Sequence, residues 1–171
     1  IWATGGPSLI RHNGDKWERS HLDREMTTCV AVTPEGEIFI GTNAGLFVFR
    51  KDDWELIVID KEDPEQYIEC VVPLEDGSVW VGTRQGVFRL SKPSWTSYTR
   101  TSEVVNLFFD TLSACQDFPP LAMDTKGSLV RFDGKDWVPF LHLLDTKTSI
   151  RCFITPPREG RIWVLTPACV F

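Results

Sequence analysis

Histidine is scarce in this chain, with three among 171 residues, and no two of its five cysteines stand at the short spacing that brings thiolates onto one metal or into a redox pair. Both shortages leave little for acid–base or metal chemistry. The cysteines (Cys29, Cys70, Cys115, Cys152 and Cys169) are odd in number and far apart. That pattern argues against a disulfide-stapled secreted domain and is compatible with a reducing compartment. An excess of positive charge is also missing. Eighteen Lys and Arg against 24 Asp and Glu leave a formal charge of −6, which argues against a nucleic-acid or anionic-membrane surface. No apolar run approaches the roughly 18 residues of a membrane span, so no membrane contact is expected from this segment. No charged-then-apolar signal segment opens the chain. Its first residue, Ile1, is not Met, which reads as a truncated start. Sustained apolar i, i+3, i+4 spacing is absent as well, and helices are not expected.

What is present is a globular balance, 42% apolar and 25% charged, with seven Trp against two Tyr. The Trp count reflects a repeat of about 41 residues. Gly36-Glu37-Ile38-Phe39-Ile40-Gly41-Thr42-Asn43-Ala44-Gly45-Leu46-Phe47 aligns with Gly77-Ser78-Val79-Trp80-Val81-Gly82-Thr83-Arg84-Gln85-Gly86-Val87-Phe88. A further copy carries Gly160-Arg161-Ile162-Trp163-Val164, and a shorter shift brings Ile1-Trp2 onto Ile38-Phe39. Trp2, Trp80 and Trp163 then share one position, taken by Phe39 and Ala122 in the other copies. Trp17, Trp54, Trp95 and Trp137 share a second. Recurrence at fixed phase points to packing between repeated units rather than to sugar-stacking platforms, because large aromatics supply the most burial per residue.

Within one copy, Thr28–Thr33, Ile38–Thr42, Leu46–Arg50 and Trp54–Ile59 are short β-branched or aromatic runs. They are separated by Pro34-Glu35-Gly36, Asn43-Ala44-Gly45 and Lys51-Asp52-Asp53. Four strands of about five residues with such turns, in a period near 40, predict an all-β chain: a β-propeller of four-stranded antiparallel blades. The copy around residues 105–148 is degenerate, with a shortened turn expected at Phe118-Pro119-Pro120. The expected division is a partial blade at 1–27, blades at 28–67 and 68–104, the degenerate blade at 105–148 and a partial blade at 149–171. Closure into a four-bladed ring would pair the strand near Ile150–Thr155 with Ile1–Thr4 and strand the segment after Ile162. The chain is therefore expected to be an incomplete arc of a larger propeller, of six or more blades, whose remaining blades are its partners.

The motif Glu75-Asp76-Gly77-Ser78-Val79-Trp80-Val81-Gly82-Thr83-x-x-Gly86-Val87-Phe88 resembles the two-component regulator propeller repeat. Pro34–Phe47 is a good second copy, and Arg158–Phe171 departs from the pattern at Cys169. The resemblance implies a sensor propeller in signal transduction, outside the cytoplasmic membrane, ahead of a histidine kinase or other output module that would lie beyond this chain. A cytoplasmic location is the alternative. Glu75–Trp80 is also similar to the Asp-box of sialidase-like propellers, with Leu74 where Ser or Thr is expected, and Gly160–Trp163 is similar to the streptogramin-lyase type of propeller.

Candidate chemistry is sparse. Cys29, Cys70 and Cys152 share a position on the innermost strand, with Cys115 a candidate fourth. They form either a ring of thiols able to bind a soft metal or small residues buried at a crowded centre. His12, His21 and His142 fall in different copies and phases. Asp60-Lys61-Glu62-Asp63-Pro64-Glu65 lacks calcium-loop spacing and reads as a solvated loop. No catalytic residue, metal site or cofactor is assigned. The better place for a ligand is one rim, where the turns after each second strand and the links between blades lie together. Its candidate residues are Asn43, Arg84, Lys126, Asp60, Tyr67 and Arg100. The expected function is a non-catalytic sensor segment binding a small molecule or saccharide there. A protein–protein interaction scaffold and a propeller lyase or hydrolase are the alternatives.

Overall fold

A computed structural model describes residues 1–5, 8–20, 26–50, 53–62, 66–91, 94–98, 112–115, 118–123, 129–141, 152–154 and 163–165, and every regular element in them is a β-strand. The first blade holds β1 (Trp2–Gly5), β2 (Ser8–His12) and β3 (Trp17–Ser20). The second holds β4 (Thr27–Val32), β5 (Ile38–Thr42), β6 (Gly45–Arg50) and β7 (Asp53–Ile57). The third holds β8 (Ile68–Pro73), β9 (Val79–Thr83), β10 (Gly86–Ser91) and β11 (Ser94–Ser97). The fourth holds β12 (Leu112–Cys115), β13 (Phe118–Met123), β14 (Leu129–Phe132) and β15 (Trp137–Leu141), and the fifth β16 (Cys152–Ile154) and β17 (Trp163–Leu165). Each sheet is an antiparallel meander in chain order. The described strands make an incomplete propeller, three four-stranded blades flanked by a sheet of three and a sheet of two. β4 lies against β8 and β8 against β12, so the first strands of these blades run side by side; β1, the counterpart of β5 and β9, lies against β4 as β5 does against β8. β16 pairs with β17 rather than with β1, in line with the expectation that the chain does not close on itself as four blades.

Strand alternation explains how one blade serves two interfaces. Side chains on a strand point alternately to opposite faces, and all five residues of β9 are buried. Val79 and Val81 join Phe39, Leu46, Val48 and Ile68 between the second and third blades. Trp80, between them in sequence, points the other way and joins Val130, Phe132 and Trp137 of the fourth blade. The two Trp positions of the repeat therefore meet across interfaces. Trp80 and Trp137 stand edge to face at 5.6 Å, and Trp2 and Trp54 do the same at 6.1 Å between the first and second blades. Trp17 differs. It is 53% exposed, because no described sheet covers its face of the first blade, whereas its counterpart Trp54 is covered by that blade.

The Gly-Thr-x-x-Gly signature has two separate causes. In the turns after β5 and β9 the threonine hydroxyl closes the loop. Thr42 Oγ1 donates to the Gly45 carbonyl at 2.9 Å and accepts from the Ala44 amide at 3.0 Å. Thr83 Oγ1 donates to the Gly86 carbonyl at 3.0 Å and accepts from the Gln85 amide at 3.1 Å. The first glycine is a matter of space. A Cβ on Gly41 would lie 2.6 Å from Cys29 Sγ and 2.7 Å from Ile68 Cγ2, so a side chain there would push β8 of the next blade away.

The fourth blade corrects two expectations. Phe118-Pro119-Pro120 is not a turn but the start of β13. The two prolines sit where pairing with β12 is irregular, and pairing with β14 begins only at Leu121, so their missing N–H groups leave that ladder intact. Pairing also moves the repeat phase by one residue. Trp2 faces Arg11, Phe39 faces Val48, Trp80 faces Arg89, and in β13 the residue facing Arg131 is Leu121. Leu121, not Ala122, thus occupies the Trp80 position; the shortened turn before β13 hides this in a linear alignment.

Candidate functional site

Two contacts show that the turns after the second strands and the links between blades share one rim. In the second blade, Asn43 Oδ1 accepts from the Met26 amide at 2.8 Å, and the Asn43 amide donates to the Met26 carbonyl at 3.1 Å. In the third, the Arg84 guanidinium lies over the Tyr67 ring at 3.7 Å. Met26 and Tyr67 are repeat equivalents, as are Asn43 and Arg84. One backbone position is used for stitching in one blade and for side-chain display in the next.

The Arg84 cluster is built by a β-bulge. Ile68 pairs with Thr83 and Cys70 with Gly82, which leaves Glu69 as the extra residue. A bulge re-aims its side chain, and Glu69 Oε1 accepts from Arg84 Nε at 3.0 Å. The same bulge occurs in β4, where the extra residue is Thr28; its hydroxyl donates at 2.6 Å to the Ile68 carbonyl of the neighbouring blade. Arg84 is held at Nε by Glu69 and on one face by Tyr67, and its side chain is 56% exposed. Just before Tyr67 stands Gln66, 3% exposed, whose amide nitrogen and oxygen both lack a protein partner. Burying an amide in that state is unfavourable by about 1–3 kcal/mol.

Of the rim candidates, Arg84 and Tyr67 are brought together. Asn43 caps Met26, and Asp60 accepts from the Glu62 amide at 3.0 Å, a local turn bond. Lys126 and Arg100 lie outside the described residues. Glu69 and Gln66 were not singled out in the sequence. Glu69 had a faint signal as the residue before the shared cysteine position; Gln66 had none.

Two of the cysteines, Cys29 and Cys70, fall into interfaces. Cys29 packs between the second and third blades and Cys70 between the third and fourth, each partly buried and neither in a disulfide. Burial pushes the Cys29 thiol pKa up. Cys152 pairs with Leu165 in the register that Cys29 shares with Gly41 and Cys70 with Gly82, so these three positions are equivalent. Cys115 is not a fourth: it pairs with Phe118 beside the turn. Among the described residues no three His, Cys, Asp or Glu side chains converge on a common point. The His12 and Trp17 rings meet at a tilt with centroids 4.9 Å apart, while His21 and His142 lie outside the described residues.

The opposite rim carries a cleft of about 500 Å³ between the second and third blades, lined by Glu35, Asp76, Gly77, Ser78 and Ser91. Its walls are equivalent turns capped differently. Thr33 Oγ1 accepts from the Glu37 amide at 3.1 Å in one, and Asp76 Oδ1 accepts from the Ser78 amide at 2.9 Å in the other. Each side chain satisfies the same backbone N–H, so Leu74 is tolerated where the Asp-box pattern expects Ser or Thr. The Ser78 hydroxyl, bonded to Asp76 at 2.6 Å, and the nearby Arg89 hold the Asp76 carboxyl below its ordinary pKa.

Comparison with models of known protein families gives no match, and comparison with curated proteins gives none. Solved structures do match. An extracellular domain assigned to a hybrid two-component system of B. thetaiotaomicron superposes with a TM-score of 0.75 at 19% identity, over 99% of this chain and 26% of that one. An extracellular domain assigned to a one-component system of the same organism gives 0.73 at 17% identity, over 96% of this chain and 25% of that one. Virginiamycin B lyase from Staphylococcus aureus gives 0.71 at 12% identity, over 99% and 65%. At such identities the likeness is one of fold, the β-propeller. The chain spans about a quarter of the length of the two extracellular domains. Their fold is also the one implied by the repeat motif's resemblance to the two-component regulator propeller.

Proposed function

We propose that this chain is a ligand-binding segment of a sensor propeller in signal transduction, placed outside the cytoplasmic membrane, that binds a small molecule or saccharide and performs no chemistry. The observation that carries this reading is the rim itself. A nearly invariant backbone presents Asn43 in one blade and a held, solvent-facing Arg84 in the next, as function grafted on a uniform scaffold requires. The likeness to extracellular domains of two-component systems supports the context, and the motif resemblance agrees with it. Lys126 and Arg100 remain rim candidates on repeat position.

The test is isothermal titration calorimetry of the chain against neutral and acidic mono- and oligosaccharides, with products followed by mass spectrometry. Saturable heat with the sugar recovered unchanged is expected. Turnover of any sugar would favour a propeller lyase or hydrolase, and the absence of heat across the series would favour a protein-interaction scaffold.

A further inference from the structure

The hairpins β2–β3 and β14–β15 hold the same place in the first and fourth blades, and their turns carry an amide in one and a carboxylate in the other. The first reads His12-Asn13-Gly14-Asp15-Lys16-Trp17 and the second Phe132-Asp133-Gly134-Lys135-Asp136-Trp137. Each turn is closed by a main-chain bond, from the Asn13 amide to the Lys16 carbonyl at 3.2 Å and from the Asp133 amide to the Asp136 carbonyl at 2.9 Å. Asn13 Oδ1 accepts from the Asp15 amide at 3.0 Å and the Lys16 amide at 3.1 Å. Asp133 Oδ1 accepts from the Lys135 amide at 2.9 Å and the Asp136 amide at 2.8 Å, which hold its carboxyl below the ordinary pKa. Gly14 and Gly134 both take a positive φ, 113° and 102°. The fourth blade thus already displays the turn that Asn13 would form if its amide were hydrolysed to a carboxylate.

An asparagine followed by glycine can lose its amide without an enzyme, because no Cβ hinders the glycine nitrogen as it closes on the asparagine Cγ. Asn13 and Gly14 are exposed to water, and three groups that assist this step stand around them. The Gly14 N–H is aimed at His12 Nδ1, 3.4 Å away, an acceptor for its proton. Asn13 Oδ1, where negative charge develops as the nitrogen adds, rests on the Asp15 and Lys16 amides in the manner of an oxyanion hole. Asn13 Nδ2, the leaving nitrogen, donates to Glu18 Oε1 at 3.0 Å, which fixes the end of the amide that faces those two donors. The Trp17 ring beside His12 restricts the imidazole. In the fourth blade Phe132 stands in place of His12, so the base accompanies the amide and is missing beside the carboxylate.

We propose that Asn13 is a self-modifying site at which His12 promotes deamidation, converting the first blade's turn toward the form seen in the fourth. The Gly14 nitrogen bonds to Asn13 Cγ as its proton passes to His12. The Cγ–Nδ2 bond then breaks, and the nitrogen leaves as ammonia with the proton that His12 returns. Water opens the resulting succinimide. Opening at Cγ gives aspartate in an unchanged backbone, the arrangement of Asp133. Opening at the main-chain carbonyl gives isoaspartate, whose extra backbone methylene disrupts the pairing of His12 with Trp17. Either product sets a carboxylate near Glu18 where a donor stood, so β3, the outermost strand of its sheet, loses one of its ties.

The test incubates the full chain in neutral buffer made with heavy-oxygen water and follows position 13 by peptide mass spectrometry, with isoaspartate read by enzymatic methyl transfer. Heavy oxygen is expected to enter at position 13 faster in the folded chain than in the chain unfolded in urea. Asn43, followed by Ala44 and bonded to the Met26 amide, should stay intact as the internal reference. His12→Phe, which copies the fourth blade, should slow the reaction by about tenfold or more in the folded chain and leave the rate in urea unchanged. His12→Gln is measured in parallel, with circular dichroism reporting the fold of both variants. An amide that lasts longer in the folded chain than in urea overturns the proposal, since the turn then protects Asn13. Equal rates in the wild type and a folded His12 variant also overturn it, by removing His12 from the chemistry. Asn13→Asp should keep its Asp15 and Lys16 amides protected from hydrogen exchange; loss of that protection overturns the conversion to the fourth blade's form.

Discussion

The second and third blades put different chemistry on one backbone. Their turns after the second strand share the same threonine closure. Their first strands share the same bulge, and their inner turns satisfy the same N–H. Yet the bulged residue is Thr28 in one, tied to the neighbouring blade, and Glu69 in the other, tied to an exposed arginine. The rim turn carries Asn43, folded back on its own chain, against Arg84, stacked and projecting. What the two blades share is what packing and turn geometry demand. What differs is free of those demands, and that is where a ligand site can be carried without loss of the fold.

The largest effects should fall on the shared part, equally in both blades. Trp80 is 1% exposed and wedged among Tyr98, Phe132 and Trp137, while Phe39 holds the same place one blade earlier. Trp80→Ala and Phe39→Ala should each lower stability by about 3–5 kcal/mol in urea titration. A near-neutral result for one alone would show that the interfaces are not equivalent. Next comes Gly41→Ala, whose new methyl would collide with Cys29 and Ile68; a loss of about 1–3 kcal/mol is expected, visible as a lower melting temperature.

Smaller effects should separate the rims. Asn43→Ala removes the cap on Met26 and should cost about 1 kcal/mol. Arg84→Ala breaks a partly exposed ion pair and the contact with the Tyr67 ring and should cost no more than about 1 kcal/mol, while altering ligand binding. If Arg84→Ala were the more destabilising of the two, its role would be structural and the contrast would fail. The smallest effect is acid sensitivity of the third blade's inner turn. A carboxyl whose pKa is lowered by folding contributes stability above its ordinary value of 3.8 and loses it as pH falls through the folded value. Acid titration below pH 3.8 should therefore destabilise the wild type more than Asp76→Asn. Adding Leu74→Thr to that variant supplies the second blade's cap and should recover part of its loss at neutral pH.

The sequence by itself determined the repeat, the four-stranded blade and the packing role of its Trp residues. These follow from constraints that recur every 41 residues or so and are therefore written several times over. Glycine beside a neighbouring strand, threonine closing a turn and a large aromatic between blades each leave a periodic mark. The same reading lost its phase at Leu121, where a shortened turn let alignment slip by one residue; only strand pairing restored it. Tertiary structure alone decided that Cys29 and Cys70 serve separate interfaces, and that Trp17 lies uncovered. It also decided that Tyr67, Glu69 and Arg84 meet. The physical reason is that such a cluster is made once, in one blade, from residues whose only relation is proximity across a bulge and a turn. A feature present in one copy leaves no period to read.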